Sequence, residues 1–99
     1  MGYHLQPQAE TDLDDIWLYV AGRSGSVEIA NRLIELFTDR FWLLAKQPQL
    51  GRILDLDLRL GMRSLPVGGY VIYYRIEGNE VLVQHVLRGS RNSDAIIAC

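Results

Sequence analysis

The chain changes its hydrophobic rhythm once, a little past its midpoint. Ala9, Leu13, Ile16 and Val20 recur at helical spacing, and Ala30, Leu33, Ile34, Phe37, Phe41 and Leu44 repeat three and four residues apart. Both stripes predict helices that bury one face. From Gly61 onward the period falls to two. Met62 to Val67, Tyr70 to Ile76 and Val81 to Leu87 are rich in β-branched and aromatic residues and predict three strands. Gly68-Gly69 and Gly78-Asn79 separate them, with glycines that supply the positive φ of tight hairpins. Alternation sends Tyr70, Ile72, Tyr74 and Ile76 to one face and Val71, Tyr73 and Arg75 to the other. By the same count His85 falls with Val81, Val83 and Leu87.

The punctuation between these runs predicts where elements begin and end. Residues 3 to 6 read as a short strand, and Pro7 suits the first helical turn, where its missing N–H would have no partner anyway. Glu10, Asp12, Asp14 and Asp15 sit early, where carboxylates favour the positive end of a helix that should stop near Gly22. Gly22 to Ser26 predicts a turn in which Ser24 or Ser26 caps the next helix, and Pro48 ends that helix. A turn this short makes the helices an antiparallel hairpin, with Trp17, Phe37, Phe41 and Trp42 available for packing. Ile53 to Leu60 alternates Asp and Leu without a helical cap and reads as extended or irregular. The expected fold is α+β in the order β-α-α-β-β-β, a helical hairpin packed on a small antiparallel sheet, with a short C-terminal segment and one domain spanning residues 1–99.

Composition fits that size. A chain of 99 residues with 48% hydrophobic content buries enough surface to fold without a metal or disulfide staple, and no cofactor or metal is expected. The single cysteine, Cys99, can form no disulfide within the chain. No apolar run approaches the roughly 18 residues of a membrane span, and the N-terminus is acidic where a secretory signal is basic. A soluble, cytoplasmic protein is expected.

Charge adds a contrast between the two halves. Residues 1 to 50 hold seven acids against four bases, whereas from Arg59 to Arg91 five arginines face two acids. Nine of the ten bases are arginine, whose planar fork suits carboxylate or phosphate. Net charge of −2 argues against general nucleic-acid binding, so the local field around the strands is the feature to explain. Arg63, Arg75, Arg88 and Arg91 are therefore candidate target-binding residues. Arg63 and Arg75 could instead pair with Asp55, Asp57 or Glu80, while Arg88 and Arg91 end a strand at a loop, where binding residues concentrate. His85 reads as a packed or edge histidine, and Tyr73 and Tyr74 as core aromatics. Asp12, Asp14 and Asp15 have no evident histidine partner and form no metal site.

Several segments, taken in order, resemble a known family. They are Leu5-Gln6-Pro7-Gln8-Ala9 with Asp12-Leu13-Asp14-Asp15-Ile16, then Pro48 with Gly51-Arg52, and Gly61 with Arg63-Ser64 and Pro66-Val67-Gly68. Tyr70 to Ile76 and Val86-Leu87-Arg88-Gly89 with Arg91 complete the pattern, which resembles the ParE toxins of the RelE/ParE superfamily. The resemblance implies the toxin half of a bacterial type II toxin–antitoxin module of the plasmid-stabilisation kind. It implies neutralisation by a cognate antitoxin in a possible hetero-oligomer, and inhibition of DNA gyrase by binding. The alternatives are a RelE-like ribosome-dependent mRNA endoribonuclease and a degenerate toxin that retains only antitoxin binding. RelE-like nucleases place a tyrosine or histidine after the last strand and lysines before the sheet. Gly89 to Ile97 carries no Tyr, His or Lys, and the segment before the sheet offers Arg52 and Arg59 but no lysine, which favours binding over catalysis and leaves no catalytic residue to assign. Trp17 and Trp42, with Ile96 and Ile97 in the apolar tail, are the candidate antitoxin-binding residues.

Overall fold

The computed structural model describes residues 2–54 and 61–89. Strand β1 (Gly2–Leu5) leads into helix α1 (Pro7–Ser24) and helix α2 (Val27–Lys46), and a single 3₁₀ turn (Pro48–Leu50) follows. Strands β2 (Arg52–Ile53), β3 (Arg63–Val67), β4 (Tyr70–Glu77) and β5 (Glu80–Arg88) complete the order. The expected β-α-α-β-β-β arrangement is present, and β2 is an added two-residue edge.

Local chemistry sets the boundaries. Pro7 opens α1, and the helix runs past Gly22 to Ser24 because Gly25, at φ 69°, takes the left-handed cap conformation and returns its N–H to the Ala21 carbonyl. Gly22 has no such role. Ser26 is the N-cap of α2, its hydroxyl accepting from the Ile29 N–H, while the Ser24 hydroxyl donates to the Val20 carbonyl.

The sheet order is β1-β5-β4-β3-β2. Strands β2 to β5 pair antiparallel, whereas β1 runs parallel to β5 in the register Gly2↔Glu80 to Leu5↔Val83. The helical hairpin lies between these two strands in sequence, and a parallel pair needs such a long connection.

Both helices cover one face of the sheet. Phe37, Phe41 and Leu44 of α2 and Ala9 of α1 meet Val67, Ile72, Tyr74, Val81, Val83 and Val86 in the main core. Phe37 stands edge-on to Tyr70 at 5.4 Å, and Tyr3 of β1 packs on Phe41 and Trp42 at 5.3 and 5.0 Å. A second, smaller cluster of Leu54, Met62 and Tyr73, with Val71 and Leu87 against it, occupies the opposite face. The alternation expected along β4 is therefore realised, and Tyr73 and Tyr74 are buried on opposite sides.

Strand β5 departs from simple alternation. Tyr73 pairs with His85 but Tyr74 pairs with Val83, so Gln84 is an extra residue at a β-bulge. The bulge reverses parity, which is why Val81 and Val83 share the helix-covered face with Val86. His85 consequently leaves the face of Val81 and Val83 and joins that of Tyr73, a correction to the count made from sequence.

Candidate functional site

Strand β1 stops pairing at Val83, where the Gln6 N–H donates to the Val83 carbonyl at 2.9 Å, and beyond that point the outer edge of β5 faces α1. Asp12 fills the gap. Its Oδ2 accepts the Val86 N–H at 3.0 Å and its Oδ1 accepts from Gln8 Nε2 at 2.9 Å, so a side chain completes a strand edge whose neighbour has run out. Nδ1 of His85 lies 3.4 Å from the same Oδ2. Asp12 therefore does have a histidine partner, 73 positions away in the chain, which the reading of the acidic cluster in isolation missed. The signal available in sequence was position: Asp12 falls three residues after Ala9 and four before Ile16, inside the apolar stripe.

Below this clip, α1 and the end of β5 enclose a groove of about 360 Å³. Ile16, Tyr70 and Val86 give it an apolar floor, Leu87 lines it at the strand, Asp12 and Asp15 line one end, and Tyr19 and Arg88 line the other. The helical face is set by spacing, since Asp12, Asp15, Ile16, Tyr19 and Arg23 fall on one side of α1. Arg88 is placed there by its pairing with Tyr70, which turns it toward the helices.

At the basic end an exposed tyrosine lies between two guanidinium groups. Arg88 Nη2 donates to Tyr19 Oη at 3.3 Å, and the Arg88 and Arg23 guanidiniums stand 5.0 and 5.6 Å from the Tyr19 ring centre. The hydrogen bond from Arg88, and then the positive charges of Arg23 and Arg88, hold the Tyr19 phenol below its ordinary value. The same hydrogen bond raises Arg88. Tyr19 and Arg23 were absent from the residues singled out in the sequence, although their i, i+4 spacing on the stripe of Ile16 was the available sign.

The candidate arginines do not converge. Arg63 shares the helix-covered face with Tyr74, and its Nη1 donates to the carbonyls of Gly51 and Gln49 at 3.0 and 3.4 Å, bracing the turn after α2. Arg75 is exposed on the opposite face, paired with Leu82 across the strands and bonded to Glu77 Oε2 at 3.1 Å. Arg88 alone of the described candidates lies at the groove, and Arg91 lies outside the described residues, as do Asp55 and Asp57.

The candidate antitoxin-binding residues are also dispersed. Trp17 sits between the helices, its Nε1 donating to Asn31 Oδ1 at 2.8 Å, and lines a cleft of about 380 Å³ with Leu5, Leu13 and Ile34. Trp42 stands at the β1 edge, 52% exposed and edge-on to Tyr3. Ile96 and Ile97 lie outside the described residues. Among the described residues no cluster of His, Cys, Asp and Glu could hold a metal ion, and no helix is long and apolar enough to cross a membrane.

Residues 3–93 match the family described as ParE toxin of type II toxin–antitoxin system, parDE. The chain belongs to the ParE toxin family. Toxin ParE3 of Caulobacter vibrioides is 32% identical over 81 residues, covering 82% of this chain and 79% of the relative. Toxin ParE1 of Mycobacterium tuberculosis is 32% identical over 76 residues, covering 77% and 76%. Among solved structures, a chain of the chromosomal ParDE toxin–antitoxin system from P. aeruginosa superposes with a TM-score of 0.77 at 20% identity, covering 91% of this chain and 97% of that one. A chain of the RelBE2 toxin–antitoxin complex from Mycobacterium tuberculosis gives 0.61 at 23% identity, covering 89% and 96%. At these identities the structural neighbours establish the ParE-like fold, with its helical hairpin on a mixed sheet.

Proposed function

We propose that this ParE-family chain is the toxin half of a type II pair, that it acts by binding DNA gyrase rather than by catalysis, and that a cognate antitoxin neutralises it. The observation that carries the choice of binding over cleavage is the dispersal of the arginines. Arg63 braces a turn and Arg75 lies on the other side of the sheet, so these two cannot close on one phosphate with Arg88. Phosphodiester cleavage needs charge stabilisers and proton carriers around a single reacting atom. A docking surface has no such requirement, and arginines spread along a strand end and a groove suit contacts with a protein partner.

One observation favours a second reading. Tyr19 is a phenol lowered by two guanidiniums, an arrangement that could carry a proton beside a bound phosphate, as a RelE-like endoribonuclease needs. Inhibition of gyrase supercoiling by the purified chain, relieved by antitoxin, is the expected result. Ribosome-dependent mRNA cleavage without supercoiling inhibition would establish the ribonuclease instead. A chain that shows neither activity yet still binds antitoxin is a degenerate toxin.

A further inference from the structure

We propose that the groove between α1 and the end of β5 seats a segment of the antitoxin that carries a carboxylate at one end, a cationic side chain at the other and an aliphatic side chain between them. The inference rests on the antitoxin reading above and specifies the chemistry of one contact. Its basis is the polarity of the groove. Tyr19 and Arg88 line one end, with the Arg23 guanidinium against the same Tyr19 ring, Asp15 lies at the other end, and Ile16 and Tyr70 form the floor.

Each part selects a feature of the occupant. Two guanidiniums around one ring present planar donors suited to a carboxylate, and the Arg88–Tyr19 hydrogen bond narrows the orientations that Arg88 must lose on binding. The Asp15 carboxylate is exposed and sits eight positions before Arg23 on the helix, a rise of about 12 Å. An extended segment spans that distance in about four residues. The apolar floor between the charged ends takes the intervening side chain, in a volume at the lower end of ligand-sized clefts, ~300–1,000 Å³.

The acidic end also selects against a polynucleotide. A nucleic-acid backbone repeats its negative charge at every step, so phosphates held at Arg23 and Arg88 would bring neighbours toward Asp15 and Asp12. A peptide with one acid and one base satisfies both ends.

The test uses the full chain and the protein encoded by the adjacent gene, with affinity measured for the wild type, Arg23→Glu and Asp15→Lys. Both substituted residues are exposed on α1, so thermal midpoints should match the wild type. Each variant is expected to weaken binding by about tenfold or more. Exchanging the matching acid and base in the antitoxin should restore affinity to the doubly substituted chain. Folded variants that bind within about twofold of wild type overturn the proposal while the antitoxin reading stands. Failure of the wild-type chain to bind at all removes that reading and the proposal with it. A short polyuridylate oligomer is the control: wild-type binding to it that Arg23→Glu abolishes, with antitoxin affinity unchanged, makes the groove a nucleic-acid site and also overturns the proposal.

Discussion

The phenol of Tyr74 ties the middle of the sheet to the turn after α2. Its hydroxyl donates to the Pro48 carbonyl at 2.6 Å and accepts the Gly51 N–H at 2.8 Å. Tyr74→Phe leaves that N–H buried without a partner and should cost about 1–3 kcal/mol in urea unfolding. Burial pushes the Tyr74 phenol above its ordinary value, outweighing the Gly51 hydrogen bond and the Arg63 charge that act the other way. A raised folded value means stability that is fully present below the unfolded value of about 10 and is lost as pH rises through the folded one. The stability gap between wild type and Tyr74→Phe should therefore narrow on going from about pH 8 to about pH 11, and a gap that stays constant would refute this account. Gly51 is the counterpart. A Cβ there would collide with the Tyr74 hydroxyl and lie 2.9 Å from the Ser64 carbonyl, so Gly51→Ala should destabilise by about 1–3 kcal/mol through overpacking.

At the scale of elements, the decisive junction is the one between α1 and the outer edge of β5. Asp12 supplies the acceptor that β1 no longer provides, so Asp12→Ala should strand the Val86 N–H and cost about 1–3 kcal/mol, whereas Asp12→Asn keeps an acceptor and should cost less. Amide exchange reads this directly: the Val86 N–H should lose protection in the alanine variant while the β3–β4 amides keep theirs. This junction also marks where reading the sequence stopped working. The helices, the two hairpins and the faces of β4 follow from periods of 3.6 and two, which are local properties. The bulge at Gln84 does not, because it becomes visible only once Tyr73 and Tyr74 have partners in the opposite strand. Asp12 joined an acidic cluster in sequence but serves a strand far along the chain in space. The arginines show the converse, since Arg63, Arg75 and Arg88 are close in sequence while alternation and pairing send them to different faces and ends.

For the whole molecule, the question is whether the groove at the end of β5 acts through charge or through a proton. Replacing Arg88 and Arg91 together by alanine removes charge at that strand end. Arg88 is exposed at the strand end, and exposed side chains contribute little to stability, so the thermal midpoint should stay close to that of the wild type. Expression of the wild-type chain should arrest growth, and expression of the double variant should not. A double variant that fails to fold would show that these arginines are structural. Loss of toxicity alone leaves both mechanisms open, because a gyrase contact and a phosphate clamp each use guanidinium groups. Tyr19→Phe separates them. The phenyl ring keeps its place between Arg23 and Arg88 and continues to stack against both, but the hydroxyl that Arg88 polarises is gone. If toxicity is a matter of docking, the variant should arrest growth and inhibit supercoiling within about threefold of wild type, the scale of one exposed hydrogen bond. If the phenol carries a proton in RNA cleavage, activity should drop by about 10²-fold or more, the usual contribution of a positioned acid or base.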